Sequence, residues 1–308
     1  MTGWVCPDSE LILPASASRE DWLEARHAGL GGSDASTIAG VNPYSSLFEL
    51  WLDKTGRAAE KEQTPEMRFG HLIEPIARQV FTEDHGIPVR RTGLHRSKQH
   101  PWMLVTPDGL TGDGGVFECK SVGWRQSGHW ADGQVADHAE AQVQWSMDVT
   151  GRRHAWVCAL IEREFVFRRV DYDPDLAATL RDMAHDFWHN HVLTDAEPGM
   201  QPADLDIVKA LHRRAIDGEV AVLEPERLAA LLANHADATD AYKAAKDAKA
   251  LAEAELVRAI GDAEAAATID ETGRPVIYAT RHNYHRDGYT VPATDYRRLT
   301  VLAKPRRT

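Results

Sequence analysis

The sequence has only three cysteines, Cys6, Cys119 and Cys158, and none of them forms a CxxC pair. Such wide spacing argues against a zinc or iron–sulfur site and is typical of proteins from a reducing compartment. No apolar run approaches the roughly 18 residues that a membrane-spanning helix needs. The first residues also lack a basic region followed by an apolar stretch, as a secretory signal would have. We therefore expect a cytoplasmic protein with no membrane segment.

Positive charge is scarce as well, because the net charge at pH 7 is −12. Residues 203–308 carry 16 Lys and Arg against 17 Asp and Glu, so nearly all of the acidic excess lies in residues 1–202. A protein that binds nucleic acid passively is usually basic. A metal-dependent enzyme, however, needs carboxylates to hold cations, and bound divalent ions reverse the local field. The charge therefore counts against a passive DNA-binding protein more than against a metallonuclease.

Apolar periodicity predicts an α/β fold. Helical spacing is found in residues 19–28, 64–85, 135–149 and 174–192. Strand-like runs are found in residues 101–106, 116–120, 155–161 and 165–170, and we expect the last two to form a hairpin and residues 101–106 to meet 116–120 across a turn. This order predicts a mixed central β-sheet flanked by helices.

Glycine, serine and proline predict where several helices begin and end. Ser33 follows a glycine turn and is predicted to be the N-cap of a short helix, and Ser45 or Ser46 is predicted to cap the next one. Gly86 is predicted to end the helix over 64–85. Pro75 lies inside that helix, where a proline is expected to kink the helix or to mark its true start.

A change of composition at residues 196–202 predicts a domain boundary, which gives domains at 1–200 and 201–308. The segment 224–267 is rich in Ala, Lys and Glu, with apolar residues on one broad stripe. It is predicted to be a long helix or a helical hairpin that packs on itself or on a partner. The last forty residues mix β-formers with Arg and His and are predicted to form a small β element with a basic tail.

The most informative pattern is Asp108 in a Pro-Asp turn, then nine residues, then Glu118-Cys119-Lys120. On a strand Glu118 and Lys120 project from the same face, while Cys119 points into the opposite layer. Two converging carboxylates are hard oxygen ligands for Mg²⁺ or Mn²⁺. A neighbouring lysine can hold a water molecule and offset negative charge on a phosphate. By itself the pattern is also compatible with a turn aspartate and an exposed ion pair.

The blocks around this pattern resemble, in order and spacing, the YqaJ-like viral recombinase family. This family is a branch of the PD-(D/E)xK nuclease superfamily that includes lambda-type exonucleases of phage recombination. The blocks lie within residues 20–195 and read EARHAGLGGSDASTIAGVNPYSSLFELWLDKTG, FGHLIEPIA, PWMLVTPDGL, FECK and AEAQVQWSMDVTG. The resemblance implies a restriction-endonuclease-like core, with the residues after 200 as a helical extension.

The resemblance also implies a metal site. Glu74, Asp108 and Glu118 match the family's carboxylate ligands, and the backbone carbonyl of Cys119 adds an oxygen. Lys120 matches the catalytic lysine that orients the attacking water. The implied cofactor is Mg²⁺, for which Mn²⁺ is expected to substitute.

Four further residues follow from the resemblance. Gln142 matches a glutamine that faces the metal site, although Gln144 is the alternative register. Arg26 and Ser33 match residues that hold the 5′ phosphate of the DNA end, a role for which a guanidinium and a hydroxyl are suited. Arg125 is a weaker candidate for the same pocket and is equally well interpreted as a surface charge.

The expected function is Mg²⁺-dependent digestion of one strand of linear duplex DNA, 5′ to 3′. It would leave 3′ overhangs for a single-strand annealing protein. The family also implies a homo-oligomeric ring, often a trimer. Two alternatives remain open at this point: an endonuclease with the same metal site, and a catalytically inert DNA-binding or assembly module.

Overall fold

The computed structural model describes residues 3–58, 64–212 and 220–280. The chain divides into two compact units, Met1–Ala215 and Ile216–Thr308. No helix within the described ranges has the length and apolar character to cross a bilayer.

The first unit alternates helices and short strands. Its strands are β1 (Ser9–Leu13), β2 (Val89–Arg90), β3 (Leu94–Ser97), β4 (Leu104–Val105), β5 (Gly109–Thr111), β6 (Val116–Val122), β7 (His154–Ile161) and β8 (Glu164–Asp171). Its helices are α1 (Arg19–His27), α2 (Gly32–Ile38), α3 (Leu47–Lys54), α4 (Pro65–His85), α5 (Asp137–Thr150), α6 (Pro174–Phe187) and α7 (Leu205–Leu211). A 3₁₀ segment follows β6 (Trp124–Gly133), a π-helical turn follows α6 (Trp188–Val192), and a 3₁₀ turn precedes α7 (Pro202–Asp204).

The central sheet has five strands in the order β2-β5-β6-β7-β8. β6 and β7 are parallel, and the other neighbouring pairs are antiparallel, so the sheet is mixed as the sequence predicts. A second sheet contains β1, β3 and β4. The fold is therefore a mixed α/β arrangement with helices on the central sheet.

Both faces of the central sheet are covered. On one face, Val143 and Met147 of α5 pack against Val116 and Val157 of the sheet. On the other face, Phe81 of α4 packs against Phe117 and Cys158 of the sheet. A third cluster joins α2, α3, α5 and α6 and includes Trp51 and Trp145. Burying one such large side chain contributes about 1.5–3 kcal/mol, so these clusters fix α4 and α5 relative to the strand between them.

The helix over residues 64–85 is confirmed at both ends. The Thr64 hydroxyl accepts a hydrogen bond from the Met67 amide, and Pro65 occupies the first turn, where its missing N–H costs nothing. Gly86 ends the helix with a φ of 67°, a left-handed conformation that favours glycine. Pro75 lies within α4 and marks neither of its ends.

The predicted start of α2 is wrong. The helix begins at Gly32 with Gly31 as its N-cap, so Ser33 lies inside the first turn and does not cap it. The Asp34 carboxylate accepts a hydrogen bond from the Gly31 amide at 2.8 Å. The side chain that caps the helix therefore comes from Asp34, three residues after the N-cap glycine. Ser46 caps α3 as predicted, with its hydroxyl accepting the Glu49 amide at 3.0 Å.

The expected partner of strand β6 is also wrong. Residues 101–106 do not pair with β6, because β4 belongs to the three-stranded sheet and Leu104 donates its amide to the Leu30 carbonyl at 2.8 Å. The antiparallel partner of β6 is β5, and the hairpin closes where the Thr111 amide donates to the Gly115 carbonyl at 2.8 Å. Within that turn Gly114 has a φ of 94°.

The second unit contains one long helix, α8 (Pro225–Ile260), and a hairpin of β9 (Ala265–Ile269) and β10 (Pro275–Thr280). Of the two predicted alternatives, the structure has the single long helix and not the helical hairpin. Apolar residues of α8, such as Leu231 and Tyr242, are exposed. Within the predicted terminal β element and basic tail, residues 281–308 lie outside the described residues.

Candidate active site

Asp108 lies in the link between β4 and β5, where two backbone contacts hold it. Its Oδ2 accepts a hydrogen bond from the Cys119 amide at 2.8 Å. Its backbone carbonyl accepts one from Arg78 Nη1 at 2.9 Å. The first contact brings the carboxylate against β6, so Asp108 reaches the strand that carries Glu118, as the sequence predicts, although through β5.

Glu118 and Lys120 project from one face of β6. Lys120 Nζ donates to Glu118 Oε1 at 2.7 Å, and the Glu118 side chain is only 3% exposed. Cys119 packs on the other face with Cys158, its parallel neighbour on β7. Contact with Cys158 and burial raise the pKa of the Cys119 thiol. The cysteine therefore serves as an uncharged packing group, and its polar contribution to the site is the amide that holds Asp108.

Gln142 reaches the same face from α5. Its Oε1 accepts from Lys120 Nζ at 2.6 Å, and its Nε2 donates to Glu118 Oε1 at 2.6 Å. Gln144 points away, because its Nε2 donates to the Asp171 carbonyl at 2.9 Å and its Oε1 accepts the Asp173 amide at 2.9 Å. Of the two registers, Gln142 is the one that contacts the strand residues.

Glu74 lies on the third turn of α4 and is half-buried. Its Oε1 is 3.0 Å from His71 Nδ1, and its Oε2 is 3.8 Å from Arg78 Nη1. It nevertheless acts on Asp108, since its charge is one of the causes that raise the pKa of that carboxyl. Glu74 is therefore close enough to influence the charge of Asp108, although its own side-chain contacts are with His71 and Arg78 of α4.

The three carboxylates of the site face Lys120 and Arg78, and the pKa of Asp108 is raised in spite of the lysine. Burial raises the pKa of Asp108 well above its usual range, and the charges of Glu118 and Glu74 raise it further. Burial opposes the charged form of Lys120, but the charges of Glu118 and Asp108 outweigh burial and raise the pKa of the ammonium. The lysine therefore stays protonated beside the carboxylates.

A divalent cation fits this donor set. Glu118 Oε2 is buried and has no hydrogen-bond partner, although buried carboxylate oxygens are normally satisfied. Carboxylate oxygens are the ligands that Mg²⁺ prefers. Among the described residues, no three His, Cys, Asp or Glu side chains lie close enough together to hold a metal ion as they stand. The chemistry of the donors fits the ion, and completing the set requires side-chain movement.

A small cavity of about 70 Å³ adjoins the carboxylates. Gln142 lines this cavity and also contacts Glu118. Arg26 Nη2 donates to Ser33 Oγ at 3.0 Å and to Asp34 Oδ1 at 2.7 Å. Lys54 Nζ lies 2.8 Å from Asp34 Oδ2. The structure therefore brings the two predicted phosphate-binding residues into contact. The cavity is lined by Trp22, Arg26, Gly31, Gly32, Ser33, Leu94, Leu104, Val105, Thr106 and Gln142.

Comparison with known proteins shows what this part of the chain is similar to. Residues 21–153 match the family model of the YqaJ-like viral recombinase domain, and this range contains both the carboxylate group and the cavity. These residues are therefore similar to that domain. It is 33% identical over 196 residues to the uncharacterized protein YqaJ of Bacillus subtilis (strain 168), and the match covers 62% of this chain and 61% of the Bacillus protein.

Solved structures resemble the chain more loosely. The alkaline exonuclease LHK-Exo from Laribacter hongkongensis, also solved in complex with dAMP, has a TM-score of 0.48 at 23% identity, over 63% of this chain and 98% of its own. A phage-related exonuclease from Haemophilus somnus 129PT has a TM-score of 0.42 at 12% identity, over 54% of this chain and 96% of its own.

The sequence patterns do not single out two charged residues of this region. Asp34 and Lys54 lie between the predicted phosphate-binding residues and the core, and both are buried. A signal for Asp34 exists in the sequence, since an aspartate three residues after Gly31 is a helix-capping pattern. Lys54 at the end of an apolar helix reads as an ordinary terminal lysine. Arg125 lies in the 3₁₀ segment Trp124–Gly133, but its side chain falls outside the described residues, so its predicted role stays a prediction.

Proposed function

We propose that this protein is a Mg²⁺-dependent exonuclease that hydrolyses phosphodiester bonds of linear duplex DNA. The observation that carries the proposal is the contact of Lys120 with both Glu118 and Gln142, beside Asp108, inside a YqaJ-like domain. An ammonium, an amide and paired carboxylates on one side of a strand form a site suited to phosphate chemistry.

Asp108, Glu118 and Glu74 are the residues that would hold Mg²⁺, with Mn²⁺ able to substitute and the Cys119 carbonyl as a further oxygen. Bound there, the cation supplies Lewis acidity and offsets negative charge on the phosphate. Two features support this assignment: the unsatisfied Glu118 Oε2 and the mutual repulsion that raises the pKa of Asp108. To bind the cation, the Glu74 side chain would have to give up its contact with His71.

Lys120 acts as a cationic hydrogen-bond donor. Because neighbouring carboxylates raise the pKa of its ammonium, Lys120 keeps its proton and can orient a water molecule and stabilise charge that develops on the phosphate oxygens. Gln142 holds Lys120 Nζ through its Oε1, which limits the rotamers that this long side chain samples. The two residues therefore arrange the reacting groups before the substrate arrives.

Arg26 and Ser33 take the 5′ phosphate of a DNA end, which sets a 5′-to-3′ polarity. Their contact at one wall of a small cavity that Gln142 also lines supports this role. The product would be a duplex with a 3′ single-stranded overhang, a substrate for a single-strand annealing protein. A homo-oligomeric ring around DNA, such as a trimer, would keep the enzyme on its substrate. A monomeric mass of the active species by light scattering would contradict the ring.

The decisive assay uses linear duplex with 5′ phosphates and a label at either end, with and without Mg²⁺. We expect Mg²⁺-dependent release from the 5′ end by the wild type. Lys120→Ala should abolish release, and Lys209→Ala, which removes an exposed lysine paired with Asp206, should leave it unchanged.

Three outcomes of this assay count against parts of the proposal. Digestion of covalently closed circular duplex would indicate an endonuclease instead, since a circle has no end. DNA binding with no cleavage by the wild type would indicate an inert binding module. Equal cleavage by the wild type and Lys120→Ala would place the active site elsewhere.

A further inference from the structure

Lys54 is a fully buried cation. Its side chain is 0% exposed, and its Nζ lies 2.8 Å from Asp34 Oδ2 and donates to the Arg26 carbonyl at 3.3 Å. A lysine ammonium is costly to bury, so a buried one is retained only with a charged partner. Because the side chain does not reach the surface, Lys54 cannot itself touch a ligand. Any effect on a ligand must pass through Asp34 and Arg26.

Asp34 receives two cations and one amide. Arg26 Nη2 lies 2.7 Å from its Oδ1, and both Lys54 Nζ and the Gly31 amide lie 2.8 Å from its Oδ2. Burial disfavours the charged carboxylate, but the charges of Arg26 and Lys54 outweigh burial and hold the pKa of Asp34 well below its usual range. The cluster therefore places two cationic side chains on one carboxylate. Asp34 and, more weakly, Asp53 raise the pKa of the Arg26 guanidinium, against the effect of burial.

Arg26 presents positive charge of this cluster to the cavity. This guanidinium lines the cavity together with Ser33, and its side chain is 26% exposed. Its hydrogen bonds to described residues all use Nη2, so Nε and Nη1 keep donors for a ligand. Trp22 contacts the guanidinium from the side, with the ring centroid 5.2 Å from Cζ. A cavity of about 70 Å³ with such a donor admits a small anionic group.

We propose that Asp34 and Lys54 are positioning residues for recognition of a terminal phosphate. Asp34 fixes the orientation of Arg26, and Lys54 balances the charge of Asp34, so that Arg26 offers a full positive charge to the phosphate. Without Lys54, Asp34 would neutralise Arg26 as well as orient it. This inference rests on the proposed function, because the phosphate is that of a DNA end.

The test measures binding in EDTA, where cleavage does not interfere. Two duplexes labelled at a 3′ end, one with 5′ phosphates and one with 5′ hydroxyls, are titrated by fluorescence anisotropy. We expect the wild type to prefer the phosphorylated duplex, and Lys54→Met to reduce this preference about tenfold with little change for the hydroxyl duplex. The double variant Asp34→Asn/Lys54→Met should recover part of the preference, since the carboxylate of Asp34 then no longer offsets the charge of Arg26.

Three controls separate positioning from folding. Circular dichroism melts establish that each variant is folded, and the double variant also tests the inference if Lys54→Met alone does not fold. Lys54→Arg keeps the buried charge and should retain most of the preference. Lys209→Met removes one exposed lysine, changes the net charge equally and should behave as wild type.

The outcomes distinguish the inference from the proposed function. A folded Lys54→Met with wild-type preference, or a double variant no better than the single one, would overturn the inference. A wild type that cleaves DNA but ignores the end phosphate would overturn it and leave the nuclease intact. A wild type that neither binds nor cleaves duplex would remove both.

Discussion

Lys120 Nζ on β6 donates a hydrogen bond of 2.6 Å to Gln142 Oε1 on α5, so an amide from a helix holds the ammonium of the neighbouring strand. The same amide donates to Glu118 Oε1, which closes a three-membered network. Each of the three side chains contacts both of the others. Removing one member therefore takes one hydrogen bond from each of the other two and leaves their contact with each other.

Gln142 and Gln144 form a natural matched pair for testing this network. We expect Gln142→Ala to reduce Mg²⁺-dependent cleavage by about 10–100-fold, because Lys120 loses its orienting partner, with a small effect on stability. Gln144→Ala should leave the site in place and cost about 1–3 kcal/mol of unfolding free energy, because the buried amide joins the Asp171 carbonyl to the Asp173 amide. Cleavage rates and urea denaturation measure the two effects. The opposite assignment of effects would contradict the structure.

Asp108→Asn is expected to stabilise the metal-free protein while removing its response to Mg²⁺. Burial and repulsion raise the pKa of Asp108, so above the ordinary carboxyl pKa its charge opposes folding. Neutralising it should raise the unfolding free energy by roughly 0.5–2 kcal/mol at neutral pH. Thermal melts with EDTA or Mg²⁺ test both statements: Mg²⁺ should raise the Tm of the wild type and not that of the variant. A variant that is less stable than the wild type in EDTA would contradict the repulsion between Asp108 and the carboxylates of Glu118 and Glu74.

Glu74→Gln is expected to weaken the response to metal without removing the fold. Its contacts are to His71 and Arg78 on the same helix, and local pairs of this kind contribute only tenths of a kcal/mol. We expect the Mg²⁺ concentration for half-maximal cleavage to rise about tenfold, a typical cost of one metal-site partner. Glu83→Gln, an exposed glutamate of α4, is the control. An unchanged Mg²⁺ requirement would exclude Glu74 from the metal site.

The sequence predicts the two faces of β6 correctly because a short-range rule determines them. Alternation along β6 places Glu118 and Lys120 on one face and Cys119 on the other, and the structure has them so. The stops at Gly86 and Gly151 are equally local, since each takes a left-handed conformation. Local patterns are therefore sufficient for these elements.

The errors concern contacts that no local pattern encodes. β5 has three residues, too few to show alternation, so the sequence pattern favours residues 101–106 as the partner of β6 instead. Asp34 and Lys54 meet because α2 and α3 pack in one core cluster, and their spacing along the chain gives no sign of it. The preference for Gln142 over Gln144 is not an error, but the contact itself depends on how α5 lies on the sheet.

His95 gives a prediction of pH-dependent stability away from the active site. Burial, and then the nearby charge of Arg152, lower the pKa of its imidazole from 6.5 to about 4. Ser9 Oγ and Thr92 Oγ1 contact its two ring nitrogens at 3.2 Å and 2.7 Å. Between these pH values the unfolded chain binds a proton that the folded protein does not, so the unfolding free energy falls as pH falls from 6.5 towards 4.

The expected loss through His95 is roughly 2 kcal/mol between pH 6.5 and 5, since one pKa unit corresponds to about 1.4 kcal/mol. His95→Gln cannot titrate, so its stability should fall less steeply over the same range, even if the variant is less stable at pH 7. Urea denaturation at pH 7, 6 and 5 compares the two slopes. Parallel slopes would mean that His95 takes up its proton equally in the folded and unfolded chains, and the acid sensitivity of the fold would then come from other groups.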